Sequence, residues 1–396
     1  MRRRFLVVLS GLAFVACTST VEPPPSGQPS RVSVPSSAPQ SALNAPSVAP
    51  TDLPVASPSP SEQSVPTASL VPGELLWTRI DQPLASINGG FDQPIATGDR
   101  FYLIEATASP DVPGAWVLLQ SFDGLNWNVG GNVPDGALTI YRTPDGLLAG
   151  GVPSAAGPVG VGLWSARAAS DWTSSTDQPA FSDRRCTVSR FPGITSFWPL
   201  NGAIAAAGSA VWTSADGATW QCAGRPELNV VGGHDVLLGT PKGQTGVPSG
   251  SIWLSTDGAH WTKTKDVEFA VDVAAVRAGF VAITDEYGVH NALFTSPDGQ
   301  QWTRQANPFG SQDVVTRGEP DGERAIALEV GEYPGGVSPG GIWISSVDGA
   351  TWTRYQLPMR DGDNPGWAAI LWNDLVVTGQ YGPSGSSVLW TAKVPD

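Results

Sequence analysis

From Leu75 to the end of the chain, apolar and polar residues follow one another in short runs that end at Gly, Asp, Asn or Ser. Runs of this kind, with a turn signal about every ten residues, predict β-strands joined by tight turns, and no helical spacing competes with them. One phrase recurs. Val211 to Trp220 reads VWTSADGATW, Ile252 to Trp261 reads IWLSTDGAHW, Leu293 to Trp302 reads LFTSPDGQQW and Ile342 to Trp352 reads IWISSVDGATW. In each, an apolar strand ends at Ser, Asp-Gly supplies a corner with positive φ, and a second strand enters at Trp. The Trp carries a large surface that is expected to be buried between neighbouring sheets. Two further strands separate one phrase from the next, as in DVAAVRAGFVAITDE, Asp272 to Glu286.

With weaker copies included, the closing tryptophans are Trp77, Trp127, Trp172, Trp220, Trp261, Trp302 and Trp352, at intervals of 50, 45, 48, 41, 41 and 50 residues. Four strands per repeat at this period signify a propeller. Turns between the two intervening strands are expected near Gly98-Asp99, Asp145-Gly146, Asn201-Gly202, His234-Asp235, Ala278-Gly279, Gly322-Glu323 and Asn373-Asp374. LLWTR, Leu75 to Arg79, matches only the last strand of a repeat. SVLWTAK, Ser387 to Lys393, matches only the third. The expected fold is all-β: a seven-bladed propeller over residues 73–396, its last blade closed by strands from both ends of the domain, which removes free sheet edges.

The motif Ser-x-Asp-Gly-x-x-Trp resembles the Asp-box, or BNR repeat, of sialidase-like propellers. It stands at Ser121/Asp123/Gly124/Trp127, Ser214/Asp216/Gly217/Trp220, Ser255/Asp257/Gly258/Trp261, Ser296/Asp298/Gly299/Trp302 and Ser346/Asp348/Gly349/Trp352. The copy before Trp172 has Ala168 in place of the Asp. The resemblance implies that these Asp and Trp residues are structural, on the face opposite the usual ligand site.

Upstream of the repeats the composition changes. MRRR precedes an apolar run, Phe5 to Val15, which is too short for a permanent membrane span and has the parts of a secretion signal over residues 1–16. Phe14-Val15-Ala16-Cys17 resembles the lipobox of bacterial lipoproteins, which implies a lipid on Cys17. Residues 17–72 are rich in Pro, Ser, Ala, Val and Thr without one aromatic, and predict a disordered tether. The expected location is therefore the cell envelope, extracytoplasmic and lipid-anchored to a membrane. In an exported chain, Cys186 and Cys222 are expected to form one disulfide. A formal net charge of −14 argues against nucleic acid as a partner.

Candidate chemistry lies in the loops between second and third strands. In blades five to seven these place Glu286-Tyr287, Glu332-Tyr333 and Gln380-Tyr381 at one repeat position, so three of the six tyrosines stand there. Glu105 of blade one is expected at a similar place. Phenols and acids around one mouth would suit a glycan or a protein ligand. The sialidase pattern is not matched: Arg100, Arg142 and Arg277 fall at turns on the wrong face. Arg79, Arg304 and Arg354 are expected to protect outer strand edges. His234, His260 and His290 lack metal-ligand spacing, no cofactor or metal is expected, and RDGDNPG, Arg360 to Gly366, reads as a plain turn. The function these features imply is a monomeric, envelope-anchored ligand-binding or protein-scaffolding module. The alternative is an envelope glycoside hydrolase of sialidase-like architecture.

Overall fold

The computed structural model describes residues 74–81, 93–106, 116–153, 161–186, 193–224, 226–241, 251–264, 267, 270–286, 289–310, 314–318, 322–329, 340–381 and 386–395. They form seven four-stranded antiparallel sheets, the blades of a propeller. Blade 1 comprises Ile95–Thr97, Arg100–Ala106, Trp116–Ser121 and Asn128–Val133; blade 2, Ala137–Thr143, Gly146–Gly151, Gly162–Ala166 and Thr173–Ser174. Blade 3 comprises Ile194–Leu200, Ala203–Gly208, Val211–Ser214 and Gln221–Gly224; blade 4, Leu228–Gly233, Val236–Pro241, Trp253–Ser255 and Thr262–Lys263. Blade 5 comprises Ala270–Val276, Gly279–Glu286, Val289–Ser296 and Thr303–Gln305; blade 6, Val314–Arg317, Ile326–Glu329, Gly341–Ser345 and Trp352–Gln356. Blade 7 takes Asp363–Leu371, Asp374–Tyr381 and Ser386–Lys393 from the end of the chain and its outer strand, Thr78–Asp81, from the start. Thr78 pairs with Thr391 and Asp81 with Val388, so the ring closes as the two half-motifs predict.

First strands of successive blades approach one another around the centre. Antiparallel order then puts the first-to-second and third-to-fourth turns on one face, called here the turn face. The second-to-third and blade-to-blade connections lie on the other, the loop face. Strand alternation sends odd and even positions of each second strand into opposite seams. Phe101 and Leu103 of blade 1 thus pack with Val376 and Leu389 of blade 7, and Val281 and Ile283 of blade 5 with Ala325 and Ala327 of blade 6.

The recurring phrase builds the turn face. In blade 4, Ser255 Oγ donates to Asp257 Oδ1 and accepts from the Gly258 amide, while Asp257 Oδ1 takes the Ala259 and His260 amides at 2.8 Å each. Gly258 sits at φ +76, where a side chain would meet Val211 of the preceding blade. The closing indole adds a bond that the motif alone does not announce: Trp261 Nε1 donates to Gly258 O at 3.0 Å, and Trp127, Trp220, Trp302 and Trp352 repeat it on Gly124, Gly217, Gly299 and Gly349. Trp127, Trp220, Trp302 and Trp352 are buried, and Trp261 is half-buried.

Two copies depart from the pattern. In blade 6 an extra residue splits the serine's roles: Ser345 is buried and accepts the Ala325 amide, while Ser346 donates to Asp348. In blade 2, Ala166, Ala168 and Ala169 replace Ser, Asp and Gly, yet Trp172 Nε1 still donates to Ala169 O at 2.8 Å. One expected tight turn is also longer. In blade 6, Arg317 pairs with Ile326, so residues 318–325 connect the first two strands.

Cys186 and Cys222 form the expected disulfide, Cα–Cα 5.9 Å. It ties the chain just beyond the single helical turn Pro179–Ser182 to the outer strand of blade 3.

Candidate functional site

On the turn face the motif's serines and aspartates are spent on their own turns. Asp216 is held at about 2 by the Thr219 and Ala218 amides and the Ser214 hydroxyl. His260 is largely exposed and bonds its own turn, Nδ1 to Asp257 Oδ2 at 2.7 Å. Chemistry on the loop face begins from carboxylates near the ends of second strands.

Glu105 and Glu329 occupy the same repeat position. Glu105 pairs with Val117, four residues beyond the Phe101–Ser121 pair that marks the turn; Glu329 lies four beyond Ala325, whose carbonyl bonds Ser345. Both are buried, at 3% and 5% exposure, but their surroundings differ. Glu329 accepts from Arg354 Nε at 2.6 Å and Nη2 at 2.9 Å, from Trp343 Nε1 at 3.0 Å and from the Gly341 amide at 3.1 Å. Gly341 leaves the space this carboxylate fills. Burial alone would raise the Glu329 carboxyl; the bonds from Arg354, Trp343 and Gly341 outweigh it and hold the group below the usual carboxylate range.

Blade 1 has Val117 where blade 6 has Gly341, and Val129 where it has Arg354. Glu105 therefore has no cationic partner among the described residues. Its Oε2 is buried without a hydrogen bond, and burial pushes its carboxyl up to about 7. Its strand mates Phe101 and Leu103, and Val117 opposite it, all pack into the seam between blades 7 and 1, so Glu105 faces that seam.

From blade 7, the same side of the sheet as Val376 carries Thr378 and Gln380. Thr378 is 1% exposed and its Oγ1 also lacks a partner. Trp367 lies directly opposite Thr378 on the innermost strand and is 37% exposed. The loop-face end of this seam thus gathers an acid, a hydroxyl, an amide in exposed Gln380, and an open indole.

Of the predicted arc, only part meets here. Glu105 and Gln380 share the seam. Glu105, however, matches Thr284 in register and stands two positions before Glu286, not at the Glu286 position. Glu286 and Tyr381 close their second strands, paired with Val289 and Ser386. Tyr287, Glu332 and Tyr333 lie outside the described residues. Thr378 and Trp367 were not singled out from sequence; the available signal was a Trp among alanines on an inner strand.

The arginines after the repeat Trp also need correction. Arg354 reaches back across its sheet to Glu329, and Arg79 lies over the Trp390 ring and donates to Asp363, with Nη2 to Oδ1 at 3.0 Å. Neither acts as simple edge protection. Asp363, expected in a plain turn, accepts the Arg360 amide, and Arg360 Nη1 reaches Asp81 at 3.0 Å. Alternating charges thus pin the outer strand of blade 7.

No protein-family model matches this chain, and no curated protein matches it in sequence. Among solved structures it is similar to the β-propeller domain of the trilobed protease from Pyrococcus furiosus, at 12% identity and TM-score 0.47, covering 78% of this chain and 96% of that one. It is similar to the polysaccharide lyase Uly1 at 8% identity and TM-score 0.49, covering 78% and 91%. A third is the protein lmo1340 from Listeria monocytogenes EGD-e, at 8% identity and TM-score 0.44, covering 78% and 96%.

Proposed function

We propose that this chain is an exported, lipid-anchored propeller of the Asp-box type that binds a glycan or protein ligand on its loop face at the cell envelope. The observation that supports ligand binding is the seam between blades 7 and 1. There a buried carboxyl oxygen and a buried hydroxyl, without hydrogen-bond partners among the described residues, accompany Gln380 and a partly exposed indole. Flat rings beside hydrogen-bonding groups suit a sugar or a peptide, whose hydroxyls or amides would satisfy Glu105 and Thr378. The anchor rests on the lipobox-like Phe14-Val15-Ala16-Cys17.

A glycan array and an envelope-extract pull-down with the full chain test this. Trp367→Ala and Glu105→Gln should each weaken capture of the ligand found there. Undiminished capture by both variants would overturn the seam as its site. Cys17→Ser should move the protein from the membrane fraction to the soluble exported fraction, and unchanged retention would overturn the anchor.

A second reading, glycoside hydrolysis, has one observation in its favour. A carboxyl raised to about 7 by burial is the state a general acid requires. Against it, Glu329 is bound by Arg354 and faces the seam between blades 5 and 6. Hydrolysis of a captured glycan that Glu105→Gln abolishes would establish this reading over simple binding.

A further inference from the structure

A cavity of about 710 Å³ opens on the turn face between blades 2 and 3, a size in the range of small-molecule sites. It lies between the first-to-second turn of blade 2, the altered phrase of that blade and the phrase of blade 3. Between blades 3 and 4, and between blades 5 and 6, the first-to-second turn of one blade bonds the phrase of the next. Asn201 Nδ2 donates to Thr256 O at 2.8 Å between blades 3 and 4, and the Ala278 amide donates to Val347 O at 3.0 Å between blades 5 and 6. Among the described residues, no bond joins the Thr143–Gly146 turn of blade 2 to blade 3. The space is left open and is bordered by Asp145, Arg167, Asp171 and Asp216, with Leu148 among the apolar residues behind them.

The chemistry of the walls is specific. Arg167 takes the place of the motif's variable residue, and Asp171 immediately precedes the closing Trp172. Arg167 and Asp145 border one cavity with opposite charges, yet neither forms an ion pair with any described residue. Among the described residues, Asp171 accepts only the neighbouring Ser170 hydroxyl, at 3.0 Å. Asp216 spends Oδ1 on its turn, whereas Asp123 and Asp257 also engage Oδ2, with Asn126 and His260. Its turn amides keep it ionised at any physiological pH. No group of three acids among the described residues is arranged to hold a metal ion. The carboxylates are spread around a cavity much larger than one cation.

We propose that this cavity binds a small zwitterion of the free amino acid or dipeptide class, its carboxylate on Arg167 and its ammonium between Asp145 and Asp171. A guanidinium is the side chain best shaped for a carboxylate, and dispersed anions suit an ammonium with several donors. The site lies on the opposite face from the ligand seam, and its fate is independent of that reading.

The test is calorimetric titration of the full chain with dialanine, and with dialanine blocked as its N-acetyl amide. Saturable binding in the range of about 1 mM or tighter is expected for dialanine, with at least about a tenfold loss for the blocked form. Arg167→Gln, and separately Asp145→Asn with Asp171→Asn, should each weaken dialanine about tenfold or more, while Asp361→Asn elsewhere on the surface should not. These residues are exposed, so the variants should fold, which circular dichroism melting checks. Equal binding of the blocked form, equal loss from Asp361→Asn, or no binding of dialanine up to on the order of 10 mM would each overturn the proposal.

Discussion

Replacing Glu105 with Gln separates the charge of this side chain from its shape. In the folded protein burial raises the carboxyl from 4.5 to about 7. In the unfolded chain it titrates near its ordinary value. Between these two values the unfolded state has lost the proton while the folded state keeps it. Stability contributed by the neutral acid is therefore full below about 4.5, falls as pH rises toward 7, and stays at its lower level above that. The gap corresponds to about 3 kcal/mol once both states are ionised. Gln cannot ionise and removes this loss, while it keeps the volume of the side chain. Urea unfolding of both proteins at pH 4.5, 6 and 8 measures the effect (about 1–3 kcal/mol per M is the usual slope). Glu105→Gln should match the parent at pH 4.5 and exceed it by about 2–3 kcal/mol at pH 8. A difference that stays flat across this range, or a parent that gains on the variant as pH rises, would show that the carboxyl has a partner in the folded protein and is not desolvated.

Arg354→Met should cost about 3 kcal/mol or more at pH 7, because it strands a buried carboxylate, and less at pH 4, where Glu329 can take up a proton; pH-resolved unfolding checks this. Gly217→Ala and Gly349→Ala isolate two kinds of cost at φ +71 and +70. At Gly217 the nearest atom is 3.6 Å from the added carbon and only the left-handed backbone is strained, about 1–2 kcal/mol; at Gly349 Val281 lies 2.1 Å away and about 1–3 kcal/mol more is expected, seen as a larger drop in Tm. Reduction of the Cys186–Cys222 bond, which closes a separation of 36 residues, should lower stability by about 4 kcal/mol in denaturant titrations with and without reductant.

The fold was legible because a propeller writes its architecture locally. Each Ser-x-Asp-Gly-x-x-Trp turn needs only its own residues to fold, so the phrase survives in sequence, and its period reports the blade. What depends on packing between strands was not legible. Glu105 and Glu286 both precede a loop, but the second strand of blade 5 extends farther before its loop than that of blade 1, and register alone separates the two positions. Trp-Thr-Arg on an outer strand looks like a charged edge; only Gly341, which admits the Glu329 carboxylate, reveals that Arg354 turns inward. The extra serine in blade 6 is visible as a longer phrase, yet the division of labour between Ser345 and Ser346 follows from which one the sheet buries. Thr378 and Trp367 entered the seam through alternation and cross-strand pairing, which composition does not encode.

The outer strand of blade 7 bears on how the chain reaches this state. Thr78–Asp81 is among the first parts of the propeller to be made, and its partner Ser386–Lys393 among the last. Arg79 and Asp363, which pin it, stand 284 residues apart. During synthesis the early strand therefore has no partner, and six blades can assemble before the ring can shut. Closing so long a loop is slow, and an unpaired strand is open to wrong neighbours meanwhile. Two of its four residues, Arg79 and Asp81, are charged, and their partners Asp363 and Arg360 lie in the last blade. The ion pairs that fasten the finished ring therefore form late: Arg79 must wait for Asp363, and Asp81 for Arg360, before the first strand of the propeller gains its charge partners.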